Sequence, residues 1–312
     1  MNERSVHFYS DGYRLEGTLY LPDDYREGET RPGILALSGY QGFNQFYPRL
    51  FSEFLTKRGF VCFGFDYRGF ARSEGPPDRV VLDEQVEDAK NAVTFLRLQQ
   101  EVDPERIGIL AWGMGASHAV RLAARDLRVK AVAALNGFYN GKRWLKSIHS
   151  YVEWDRLIRE VEQDRASRVN CGRSSPVDPF VHYPLDPDTA DVVRKELKPL
   201  PYFGKKITLE FTESILEMNA EREAGSIAPR PLFIAHGKRN LLHPPEEAQS
   251  LYEAAKEPKE LYWIDGKHND FMHRDDPVFQ DLMQRLSDFF RRNLQGSDEA
   301  KRPQLMNSGT GF

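Results

Sequence analysis

The stretch Ile107-Gly-Ile-Leu-Ala-Trp-Gly-Met-Gly-Ala-Ser-His118 decides the fold. Ile107 to Leu110 read as a short buried strand, an apolar run that stops at turn signals. Gly113 and Gly115 force a sharp turn, because glycine adopts backbone conformations that a side chain forbids. Ala116 to Arg125 read as a helix, with Ala119, Val120, Leu122 and Ala123 as its packing positions. A strand that passes through a tight turn straight into a helix holds the turn residue out at the end of a sheet. Here that residue is Gly113, which has no side chain to present.

Outward from this stretch the chain alternates. Upstream, Ser5–Ser10 and Tyr13–Leu21 flank Asp11-Gly12, a hairpin signal. Gly33–Ser38 is a short buried strand, followed by the glycine- and aromatic-rich loop Gly39–Phe46. Pro48–Arg58 is an amphipathic helix closed by Gly59. Phe60–Asp66 is the next strand, and Leu82–Gln100 a long helix, broken by Asp103-Pro104. Downstream, Val129–Leu135 is a strand. Strands alternating with helices imply a parallel sheet covered on both faces. From about 140 to 223 the alternation stops. Arg143–Arg165 reads as one charged helix with Trp144, Leu145, Ile148, Tyr151 and Leu157 as its stripe, and a Pro-punctuated segment follows. Residues 140–223 are therefore expected to form a helical cap inserted after the sixth strand, with 1–139 and 224–294 as the core. The alternation resumes with Pro231–His236 (strand), Pro244–Ala255 (helix), Glu260–Asp265 (strand) and Pro277–Asn293 (helix). Residues 295–312 are polar and aperiodic, which predicts a disordered tail.

Composition excludes several classes. The 312 residues are 40% apolar, enough for one large core. A net charge of −4, spread without long blocks, argues against nucleic acid and against a polybasic membrane patch. No stretch approaches the roughly 20 apolar residues of a membrane span, and MNERSVHFYS has no apolar run, so no signal peptide is expected. Two cysteines, Cys62 and Cys171, are too few for a disulfide framework and fit buried or incidental thiols in a reducing cytoplasm. No zinc spacing and no phosphate loop occurs, so neither a metal nor a cofactor is expected. The expected partner is a small molecule, and a homodimer is admitted.

These residues resemble the α/β-hydrolase superfamily, nearest to bacterial serine esterases and dienelactone-hydrolase-like proteins with a helical cap. The resemblance spans roughly residues 5 to 294. It rests on FDYRGFARSEG at 65–75, VDPERIGIL at 102–110, the turn at 111–116, RVKAVAAL at 128–135, APRPLFIAHG at 228–237, and Gly266-Lys-His268 after the last strand. It implies an α/β fold with a catalytic triad in chain order Ser, Asp or Glu, His. The serine position of the G-x-S-x-G turn is Gly113. The acid position, four residues after His236 of the His-Gly pair, is Asn240. Only the histidine, His268, is kept. Spacing through Val129-Lys130 runs without a gap, so the serine is not misregistered. Ser117 lies inside the helix and Ser38 precedes the loop, so neither is expected to be a nucleophile.

What such a site keeps is an oxyanion hole of backbone N–H groups, from Met114 and from Tyr40 or Gln41. It also keeps His268 as a general base, with Asn240 as a hydrogen-bond acceptor for its Nδ1–H. Asp265 and Asp270 are near enough in sequence to substitute for the acid. Trp112 and Tyr139 are expected at the pocket, with Tyr40, Phe43, Phe138 and Trp144 as further aromatics. His118 is expected on a helix surface and His243 in a loop. The function this predicts is a non-hydrolytic enzyme of the hydrolase fold, lyase-like. It would act on a hydrophobic acylated substrate, natural products among the candidates, by histidine base chemistry such as acetate elimination. Two alternatives are a catalytically inactive binding protein and a hydrolase using a non-standard nucleophile or an activated water.

Overall fold

Eight of the strands assemble into one sheet in the computed structural model, which describes residues 1–40, 42–200, 202–204, 206–270 and 273–294. In chain order its elements begin β1 (Asn2–Ser10), β2 (Tyr13–Leu21), β3 (Arg31–Leu37), α1 (Tyr47–Thr56), β4 (Val61–Phe65), α2 (Leu82–Arg97), β5 (Val102–Trp112), α3 (Met114–Arg125) and β6 (Val129–Leu135). After an insertion come β9 (Leu232–Gly237), α9 (Pro245–Ala254), β10 (Lys259–Ile264) and α10 (Pro277–Leu294). The sheet order is β1-β2-β4-β3-β5-β6-β9-β10. The hairpin β1–β2 and the β2–β4 pair are antiparallel, and every other pair is parallel. Helices α2, α3 and α9 bury their apolar stripes on one face, and α1 and α10 cover the other. This is the α/β-hydrolase fold.

Between β6 and β9 lie α4 (Gly141–Ser147), α5 (Tyr151–Cys171), the two-residue strands β7 (Pro176–Val177) and β8 (Ile207–Thr208), α6 (Pro187–Val192), α7 (Glu210–Glu217) and α8 (Glu221–Ala224). A π-helical turn, Val193–Leu197, continues α6. The insertion leaves and rejoins the core at one neck, where Asn140 bridges Asn219 and Gly141 N–H donates to Met218 O at 2.9 Å. The single helix expected over 143–165 is two helices. Ser150 and Glu153 form a reciprocal capping box, which starts α5 afresh after α4 has ended. The expected tail, 295–312, lies outside the described residues.

Candidate active site

The site is built at the end of β5. Gly113 holds φ +62°, ψ −133°, and its N–H donates to Leu135 O on β6 at 2.9 Å. That φ lies in the region that favours glycine, and a side chain there carries strain. A Cβ built on Gly113 meets no atom of the described residues beyond its chain neighbours within 4 Å, so among them the direction a nucleophile would take is open. Met114 follows as the first residue of α3, where a backbone N–H has no acceptor within its own helix.

The loop after β3 is pressed against this helix start. A Cβ on Gly39 would overlap Met114 Cβ, and one on Gly115 would lie 2.7 Å from Ser38 O. Two glycines facing each other let the backbones cross, and this brings the Tyr40 loop beside Met114. Tyr40 itself sits at φ +55°. Its carbonyl accepts from Gln85 Nε2 at 2.5 Å, and Gln85 Oε1 accepts from His118 Nε2 at 2.9 Å. His118 is therefore not on a helix surface as expected. It is fully buried, turned toward α2, because both sides of α3 are covered. Gln41, the alternative oxyanion donor, lies outside the described residues.

A cavity of about 120 Å³ opens above Gly113. The core contributes Ser38, Tyr40, Trp112, Met114, His243 and His268 to its walls; the insertion contributes Phe180, Tyr183, Val193, Leu197, Phe203 and Phe211. No Asp, Glu, Lys or Arg is among the described lining residues. Trp112 stacks on Tyr47 at 3.7 Å and lies 4.6 Å from the His268 ring. Tyr139, expected at the pocket, is buried in the core instead and does not line the cavity. Its N–H is held by Glu247 Oε2 at 2.8 Å, which fixes the chain where it turns away into the insertion. Phe138 and Trp144 stand behind His243, at 4.9 and 5.1 Å from its ring.

His268 lies where the sequence puts it, in the loop after β10, with its carbonyl held by Asn136 Nδ2 at 2.9 Å. Its Nδ1 is sealed from solvent with no hydrogen-bond partner among the described residues, and the residue lines the cavity. The expected bond from Nδ1 to Asn240 is not formed. Asn240 Oδ1 accepts from His243 N–H at 3.0 Å, and its amide nitrogen lies 3.3 Å from His236 Nε2. The loop Gly237–His243 closes on its own amide, so the side chain is used there. Neither aspartate substitutes: Asp270 Oδ2 accepts from Lys267 N–H at 2.9 Å, and Asp265 pairs with Arg239 at 2.5 Å. Burial, with His243 and His236 beside it, holds the His268 imidazole well below the ordinary histidine range. Ser38 lines the cavity, whereas Ser117 gives its hydroxyl to Phe138 O in the core.

His243 is the residue that sequence reasoning missed. It is fully buried and lines the cavity, 4.7 Å from the His268 ring. Its Nδ1 lies 2.6 Å from Asn136 O, and its Nε2 lies 2.9 Å from Tyr183 Oη. Its position three residues past Asn240, in the same loop, was the available signal.

Four imidazoles are thus buried neutral. Burial lowers His118 and His243 to about 3 and His236 to about 4, and takes His268 down as well. In the unfolded chain each titrates near 6.5. Below that pH the unfolded state binds protons that the folded state does not, so stability falls as pH drops. The slope is at most about 1.4 kcal/mol per pH unit for each histidine. The urea midpoint should therefore be clearly lower at pH 5.5 than at pH 7.5; an unchanged or higher midpoint at 5.5 would refute the neutral cluster.

Fold and pocket together define an α/β-hydrolase. The serine aminopeptidase (S33) family matches residues 28–274, and the chain belongs to it. An uncharacterized protein of Pseudomonas aeruginosa, PA2218, is 29% identical over 299 residues, covering 91% of this chain and 78% of that one. The crystal structure of PA2218 superposes with a TM-score of 0.80 at 27% identity, covering 94% of each chain. Thiohydrolase aneE of Aspergillus aculeatus is 26% identical over 83% of this chain and 84% of its own. Acyltransferase drtE of Aspergillus calidoustus is 23% identical over 87% and 90%.

Proposed function

We propose that the chain acts on a hydrophobic acylated small molecule without forming an acyl-enzyme, by acid–base chemistry at His268, with elimination of a carboxylate such as acetate as the reaction. The observation that carries this reading is the open space over Gly113 in a cavity lined by Met114, whose N–H has no acceptor in its own helix, and by His268. An acyl carbonyl fits where backbone donors stabilise developing negative charge, and Gly113 has no side chain to attack it. The names of two relatives, a thiohydrolase and an acyltransferase, support acyl compounds as the substrate class. The insertion, as a cap, supplies the apolar wall.

The depressed pKa of His268 sets a condition on the substrate. A weak base removes only an acidic proton, because the proton acceptor must be matched to the donor. A carbon acid flanked by two carbonyls, or a vinylogous acid, meets that condition; a simple ester does not. A second reading, a ligand-binding protein without turnover, is favoured by one observation: among the described residues no carboxylate pairs with His268 Nδ1 to support an imidazolium.

The test of the missing nucleophile is direct. p-Nitrophenyl acetate should give no burst, and a fluorophosphonate should label no residue. Covalent labelling at any serine, Ser38 and Ser117 included, would sink the reading.

A further inference from the structure

The Tyr183–His243 pair has a fixed direction. Asn136 O is a carbonyl and only accepts, so the 2.6 Å contact puts the proton on His243 Nδ1. The imidazole is neutral, since burial lowers it to about 3. Its Nε2 is then a lone pair, and at 2.9 Å it accepts from the Tyr183 hydroxyl. The tautomer is set by the partner on the other nitrogen, as is usual for histidines. The ring cannot turn to escape this, because Phe138 and Trp144 pack against it, and the Trp144 indole N–H is itself tied to Leu242 O at 2.8 Å. Tyr183 is held as well, edge-on to Trp144 at 4.6 Å.

The consequence falls on the ligand. With its hydrogen committed to His243, Tyr183 Oη offers only lone pairs. Tyr47 also lines the cavity and commits its hydrogen, to Asn269 Oδ1, while Asn269 donates to Thr189 Oγ1, both at 2.9 Å; replacing Tyr183 alone therefore separates the two tyrosines. Met114 lines the same cavity, and its N–H, without an acceptor in its own helix, is a donor that calls for an acceptor.

We propose that Tyr183 selects the ligand of this pocket: it admits acyl compounds that also carry a hydroxyl or enol donor, and rejects those in which that group is capped. This rests on the acyl-ligand reading given under Proposed function. A hydroxyl that pairs with Tyr183 Oη keeps a buried oxygen satisfied. A methyl ether at the same place leaves two acceptors facing each other, and a site built for a hydroxyl discriminates strongly against its loss.

The experiment uses the full chain and two probes, methyl 3-hydroxyoctanoate and methyl 3-methoxyoctanoate, in calorimetric titrations. The wild type should bind the hydroxy ester at least roughly tenfold more tightly. Tyr183→Phe should bring the two within about twofold of each other. His243→Phe should do the same by releasing the Tyr183 hydrogen toward the ligand, and its melting temperature reports whether it folds. If the wild type binds both probes equally, the selection by Tyr183 is wrong and the acyl reading stands. A preference that survives unchanged in Tyr183→Phe also overturns it. If the folded wild type binds neither probe, the acyl reading fails and takes this inference with it.

Discussion

His268→Ala should remove most of the turnover of an acetylated, β-eliminable substrate while leaving its affinity nearly unchanged. The imidazole is the triad-type side chain the chain retains, and it belongs to a residue that lines the cavity above Gly113. A positioned general base contributes about 10²–10⁴-fold, so a loss of that order is expected. Its affinity contribution is small by comparison, because the walls are apolar. The pH profile carries a second signature. The His268 pKa lies well below 6.5, so the base is already free at neutral pH. The rate should be flat above about pH 6.5 and fall only at lower pH, as the imidazole takes up a proton. Unfolding of the neutral histidine cluster sets in over the same range, so rates below about pH 6 need a parallel check of folded fraction. Equal turnover by wild type and His268→Ala would take the residue out of the mechanism. Absence of any turnover, with tight binding in both, would favour the binding-protein reading.

How much of this was legible follows from the kind of signal each element carries. The strand β6, Val129–Leu135, matches the predicted range residue for residue, because a continuous apolar run between polar turns has one good reading. The turn at Gly113 was legible for the same reason, since glycine spacing fixes it. β5 is longer than the predicted four residues and runs Val102–Trp112; Pro104, which breaks helices, does not prevent a strand from starting there. The side-chain network was not legible. Whether Asn240 turns to His268 or to its own loop depends on a backbone amide, that of His243, which spacing does not position. The burial of His118 and His243 depends on α2 and on the insertion, which reach them from distant parts of the chain. Tyr183 sits in a Pro-punctuated segment with no periodicity, so nothing local distinguished it from the other aromatics there.

Restoring the triad gives the largest change of all, a gain of function. In Gly113→Ser with Asn240→Asp, the new Cβ at position 113 enters space that holds no atom of the described residues, its chain neighbours aside, within 4 Å. The backbone is already at φ +62°, ψ −133°, so the serine needs no movement, at a strain of about 1–3 kcal/mol. The melting temperature should drop by a few degrees and no more. The carboxylate introduced by Asn240→Asp should still accept from the His243 N–H, now at 3.0 Å from Asn240 Oδ1, and it places a negative charge among neutral imidazoles. That charge favours the imidazolium and raises the His268 pKa from its depressed value. The higher pKa lets the His268 imidazole take the serine proton. The double variant should give a burst with p-nitrophenyl acetate that the wild type lacks. Gly113→Ser alone should be far slower, by up to about 10⁴, which is the effect of an Asn in place of the triad Asp in a serine protease. If the single variant matches the double, position 240 is not the acid position of this site. If the double variant keeps its melting temperature and gives no burst, the loop carrying Tyr40 no longer presents its N–H to a tetrahedral oxyanion, and the divergence reaches beyond the two replaced side chains.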